Sequence, residues 1–171
     1  KRGSLDLTDL GLGTHSLESL EQRRSVISVL LPQVKVLDPT RRTAVAERIC
    51  QLAEVVPPSD LMMTSSQVAA LARDGFGIGG HTVNHPILAR LDPDEARGEI
   101  HHGRQRLEEI THQPVGLFAY PNGRPGEDYT AHTTEQVRQL GFVAAFTTAP
   151  GVAGSNTDLF QLPRFTPWDR G

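Results

Sequence analysis

The stretch "HTVNHP", residues 81–86, holds the side chains best suited to chemistry. His81 and His85 stand four positions apart behind a run of glycine and isoleucine, and Pro86 closes the pair off. Neutral imidazole is a common ligand for zinc and other divalent ions, and this spacing can converge two rings on one ion. A surface turn that happens to carry two histidines is the plainer alternative. Position favours a site. The pair follows "FGIGG", which has the character of a buried strand, and α/β proteins gather their chemistry at the carboxyl ends of strands. The other histidines have weaker settings. His101 and His102 lie among Arg104 and Glu108 on a helix and read as a solvated face, while His15, His112 and His132 stand alone near element ends. A catalytic zinc usually has three protein ligands and one open position. Asp128, in "GRPGEDY", is the acidic residue best placed by sequence to be the third, with a helix cap as its other reading.

The elements that must position these residues come in two styles. Residues 1–62 read as a helical segment. "SLESLEQRRSVISVLLPQVKVL" carries Leu17, Leu20, Ile27, Leu30, Leu31, Val34 and Leu37 at mostly helical spacing, with Pro32 as a break or kink. Asp38 and Pro39 are start signals for the next helix. There Cys50 shares a stripe with Val45, Ile49 and Leu52, which predicts a buried structural thiol. From residue 64 helix and strand alternate. Thr64 and Gln67 make a capping box and Gly75 a stop, while Asp92, Pro93 and Glu95 open a helix with Ala96, Ile100, Leu107 and Ile110 on its apolar face. "FGIGG", "PVGLFAYP" and "FVAAFTTAP" read as strands, "QLPRFT" as a fourth, and "TTEQVRQLG" as a helix among them. Alternation with short connections implies parallel pairing, hence an open α/β sheet or a barrel.

Composition narrows the function classes. The chain has 171 residues, 37% hydrophobic and 22% charged, enough for a domain with a real core. A formal charge of -3 and 5% aromatic content give no reason to expect nucleic acid or an anionic membrane as partner. The single cysteine excludes an intrachain disulfide and a cysteine-rich zinc site. No apolar run approaches the roughly 20 residues of a membrane helix. A serine hydrolase is disfavoured, because there is no G-x-S-x-G and Ser155 lacks the strand–turn–helix setting.

Two motifs in order then carry a resemblance. "HTVNHP" resembles the H-[ST]-x-x-H-P metal motif of the polysaccharide deacetylases, the NodB-homology or carbohydrate esterase family 4 group. "FAYPNG" resembles that family's next motif, and "EIHHGRQRLEEITHQPV" its intervening helix. The likeness covers roughly Met63 to Asp169. It implies an α/β fold, part of a distorted (β/α)7 barrel. Residues 1–62 would be a helical insertion at its start, and residues 63–171 the carboxyl-terminal portion. It implies a metal-dependent hydrolase that removes acetyl groups from N-acetylated glycans, with a divalent metal, zinc first, held by His81 and His85. The backbone N–H of Asn122 would donate to the oxyanion. Tyr120, Pro121 and Gly123 would shape the groove wall, and Arg164 and Trp168 would contact sugar.

The chain also departs from the pattern. The family's third ligand and base come from a T-F-D-D motif that is missing here; Asp6 and Asp9 are spaced apart and do not replace it. The motif arginine falls on Ala119, with Arg124 or Arg164 as nearby substitutes, and the late L-H motif has no match. "KRGSLDL" opens without a methionine, so the expectation is a longer protein whose earlier strands carry the aspartates. The alternative is a non-catalytic carbohydrate-binding relative. Location stays open between cytoplasm and periplasm or exterior.

Overall fold

The computed structural model describes residues 3–165. It divides into two compact units, Lys1–Met62 and Met63–Gly171. In the first, β1 (Ser4–Leu7) pairs antiparallel with β2 (Gly13–Ser16), Leu5 opposite His15 and Leu7 opposite Gly13. The first third is therefore not wholly helical. Leu5 and Leu7 alternate into the core, and the turn between the strands needs Gly11 and Gly13 at φ 71° and 79°. Asp6 locks that turn by accepting from the Thr8 N–H and from the Thr8 and Thr14 hydroxyls, which hold its carboxyl below the usual range.

Two helices follow. α1 (Leu20–Lys35) opens on a capping box of Ser19 and Gln22, and it runs through Pro32 to Lys35 rather than breaking there. α2 (Pro39–Ala53) starts at Asp38, whose side chain accepts from the Arg41 N–H. Leu5, Leu7 and Leu30 are buried together, with Val26, Ile49 and Leu52 packed on them. Ile27 and Leu31 stay exposed although they shared the apolar spacing. Cys50 is half-buried, not enclosed; it lines a shallow apolar groove with Val34 and Ala46. Asp9 is taken by Arg48 at 3.0 Å.

The second unit holds the alternating elements. α3 (Ser65–Arg73) begins with the Thr64–Gln67 capping box. α4 (Pro93–Thr111) begins with the Asp92–Glu95 box and buries Ala96, Ile100 and Gly103, the face that the apolar spacing marks. α5 (Ala131–Gln139) is capped by Thr130. The strands are shorter than the sequence suggests: β3 (Gly79–Gly80), β4 (Leu117–Ala119) and β5 (Ala144–Phe146), parallel in the order β3-β4-β5. Among its described residues "QLPRFT" contributes one parallel bridge, Phe146 to Leu162, and the next N–H on that side, from Arg164, goes to the Ala149 carbonyl. No closed barrel forms among the described residues; what they show is a mixed α/β fold.

Side-chain size explains the glycine at position 80 in β3. A Cβ on Gly80 would sit 3.2 Å from the Phe142 ring and 3.3 Å from that of Phe118. Glycine lets both rings close over the strand. Phe118, Phe142, Ile100, Val137, Ala145, Tyr120 and Tyr129 form the core, with the two tyrosine rings stacked at 3.8 Å. Arg104 ties α4 to the end of α5 by donating to the Leu140 carbonyl, and its guanidinium lies 5.1 Å from the Phe142 ring centre.

Candidate metal centre

His81 is the first residue after β3, and its ring is held from the neighbouring strand. Nδ1 lies 2.7 Å from the Ala119 carbonyl oxygen. A carbonyl only accepts, so Nδ1 carries a proton, and in the neutral ring the lone pair falls on Nε2. Position 119, where the resemblance expects an arginine, thus acts here through its main chain. The His85 ring stands 4.8 Å from that of His81, nearly perpendicular at 75°. Both histidines are exposed, and Pro86 behind them is buried.

The loop that brings the rings together is strained. Thr82 has φ 66° and His85 φ 53°, left-handed values that a β-branched residue in particular avoids. Each such residue costs about 1–3 kcal/mol and persists where the surroundings over-determine it. Here Thr82 Oγ1 donates to the His81 carbonyl at 2.5 Å and accepts the His85 N–H at 3.0 Å. From α4, the Glu99 carboxylate accepts the Val83 and Asn84 N–H groups at 3.0 and 2.8 Å and the Asn84 amide at 2.6 Å. Gly103 admits the helix: a Cβ there would be 2.9 Å from the Thr82 carbonyl carbon. Glu99 and Gly103 lie in the stretch that resembles the family's intervening helix, but their contact with the loop depends on how closely α4 approaches it, which the sequence does not show.

Asp128 does not join the histidines. It is buried, and its carboxylate takes the Arg124 N–H at 2.9 Å, Nε at 3.0 Å and Nη2 at 3.2 Å, while its carbonyl takes the Ala89 N–H. It closes the loop ahead of α5 without capping that helix. Arg124 is spent on Asp128 and Glu127. Among the described residues no group of three His, Cys, Asp or Glu side chains could hold a metal ion. The donors present fit two positions of a zinc-like ion, two imidazoles side by side with the His81 tautomer fixed.

Asn122 has φ 60°, and its carbonyl accepts from the Thr148 hydroxyl at 2.7 Å. Its side-chain nitrogen is buried with no hydrogen-bond partner among the described residues, an orphan donor at the turn. Tyr120, Pro121 and Gly123 are buried, so they support that turn from behind. The Tyr120 hydroxyl donates to the Phe160 carbonyl at 2.9 Å, and burial pushes its pKa up to about 12. Arg164 is exposed; Trp168 lies outside the described residues. His101 and His102 are exposed on α4, and His15 contacts the Leu12 carbonyl at 2.8 Å.

With this geometry in view, the comparisons are specific. The polysaccharide deacetylase profile matches residues 46–145. The chain belongs to the polysaccharide deacetylase family. A curated relative that bears the polysaccharide deacetylase name, YxkH of Bacillus subtilis (strain 168), is 28% identical over 102 residues, 60% of this chain. The chain spans 35% of that relative's length. Among solved structures, the Streptococcus pyogenes deacetylase PplD, seen in complex with acetate, aligns with a TM-score of 0.57 at 26% identity, over 71% of this chain and 57% of its own. The BpsB deacetylase domain of Bordetella bronchiseptica aligns at 0.56 and 18% identity, over 63% of this chain and 50% of its own, a likeness of fold alone. The family's NodB-type fold agrees with the α/β architecture described above.

Proposed function

We propose that this deacetylase-family chain supplies part of the centre of a metal-dependent carbohydrate deacetylase built on a distorted (β/α)7 barrel. In this reading His81 and His85 are two of the ion's ligands, zinc being the first candidate. The observation that carries the reading is the histidine loop itself. Two adjacent imidazoles, one oriented by the Ala119 carbonyl, are held by a strained backbone that costs stability. Bound there, a divalent ion would polarise an acetyl carbonyl and acidify its water. The chain's own residues add two roles: the Ala119 carbonyl orients His81, and the Asn122 turn would offer a backbone donor to a developing oxyanion. The exposure of both histidines suits a polymeric substrate such as an N-acetylated glycan. Three ligands are usual at catalytic zinc, so the pair is completed by a carboxylate beyond those described.

The test is calorimetric titration of zinc into the chain beside His81→Ala and His85→Ala, with acetate release measured from N-acetylglucosamine oligomers. Chelator-reversible, one-to-one binding lost in both variants is expected. Binding undiminished in both variants would sink the reading. The lack of a three-ligand group among the described residues favours one rival, a non-catalytic glycan-binding relative. It would show saturable oligomer binding unaffected by chelator, with no acetate released by any longer chain containing these residues.

A further inference from the structure

Glu99 projects from α4 onto the segment that links the two histidines. Both carboxylate oxygens are engaged there: Oε2 by the Val83 and Asn84 N–H groups at 3.0 and 2.8 Å, Oε1 by the Asn84 side-chain amide at 2.6 Å. All three donors lie between His81 and His85. The turn they define leaves Thr82 and His85 left-handed, and the relative direction of the two rings depends on those dihedrals. Released from the carboxylate, the segment relaxes toward ordinary backbone angles, and the His85 Cα–Cβ bond swings away from His81. Neutral amides bond a carboxylate more strongly than a neutral acceptor, so this contact outweighs others of its kind in the loop.

We infer that Glu99 is the positioning residue of the histidine pair: by holding Val83 and Asn84 it sets the turn that keeps the two rings together for a shared ion. The inference rests on the reading of His81 and His85 as ligands. Glu99 touches neither ring in this arrangement and is not itself a ligand; its oxygens are committed to the loop. Glutamine offers a single carbonyl oxygen and points an amide at a donor, so it keeps part of the clamp. Alanine keeps none.

The experiment compares wild type with Glu99→Ala, Glu99→Gln and, as a control on the same helix, Glu109→Ala. Contacts between the His81 and His85 rings are first read by NMR in the metal-free proteins. Zinc affinity is then read by calorimetry, and the Val115 and Phe118 signals report on the core. Glu99→Ala is expected to lose the inter-ring contact and to bind zinc roughly 10- to 100-fold more weakly, the usual effect of removing such an outer partner. Glu99→Gln falls between, and Glu109→Ala matches wild type. Retention of either the ring contact or the zinc affinity in a folded Glu99→Ala overturns the inference. Should Glu99→Ala lose its core signals, Glu99→Gln decides by the same criteria. If wild type itself binds no zinc, the pair does not hold the ion without its further ligand, and the metal-free ring contact alone decides the role of Glu99.

Discussion

A methyl group on Gly123 would meet Thr148 N and Cγ2 at 2.9 Å each and the Tyr120 carbonyl oxygen at 3.1 Å, at a residue whose φ is 77°. Strain and overpacking add, so Gly123→Ala is expected to cost about 2–4 kcal/mol in denaturant unfolding. Asp128 makes the opposite kind of prediction. Its oxygens serve Arg124 and not the histidines, so Asp128→Asn should leave zinc affinity unchanged in the same titration while loosening the loop. His81 and His85 were legible because imidazole type and spacing announce themselves. Asp128 misled because sequence proximity to a strand end says nothing about which neighbour claims a carboxylate first. The contacts of Ala119 and Glu99 were hidden for a related reason: a carbonyl has no side-chain signature, and a glutamate in the family-like helix does not say which backbone it will meet.

Among the elements, α4 bears most on the site, since it faces the histidine loop through Glu99 and Gly103 and buries Ile100 in the core. Helix propensity alone favours alanine over glycine by about 1 kcal/mol. At Gly103 the added carbon would press the Thr82 backbone at 2.9 Å, so Gly103→Ala is expected to lower the melting temperature rather than raise it. The end of α4 also has a pH signature. The Val115 N–H bonded to Glu108, with Arg104 at 2.9 Å, holds that carboxyl below its ordinary value of 4.5. A depressed folded value means that the stabilisation is complete above about 4.5 and is lost as pH falls through the folded value. Glu108→Gln should therefore be less stable than wild type at neutral pH, with the gap closing below about 4.5 in unfolding curves. The helix starts at Thr64 and Asp92 were readable because caps obey local rules. The hairpin of β1 and β2 was not, since each of its strands lasts only four residues. The strands were drawn too long because an apolar run marks burial, whereas pairing stops where a partner strand does.

For the molecule as a whole, residues 54–64 carry no helix or strand and are exposed throughout, Val56 at 94% and Met62 at 84%. Such a segment is where proteases enter. Brief thermolysin or chymotrypsin treatment should cut near Leu61 or Met62 and release pieces that mass spectrometry maps to Lys1–Met62 and Met63–Gly171. The shift in the chain's style near residue 63 was plain in its punctuation. The barrel that the resemblance implied is not closed among the described residues, and closure rests on strand pairings that no local pattern encodes. The family match itself crosses the division, starting at residue 46 inside α2.

The carbonyl that orients His81 has a consequence for how this centre tolerates change. Position 119 meets His81 through its main chain, so this contact does not depend on which side chain stands there. What must be inherited instead is alignment. Ala119 faces Phe146 in the pairing of β4 with β5, and Gly80 faces Phe118. One residue inserted or deleted within β4 would hand His81 a different carbonyl, or none, while every side chain of the histidine motif stayed intact.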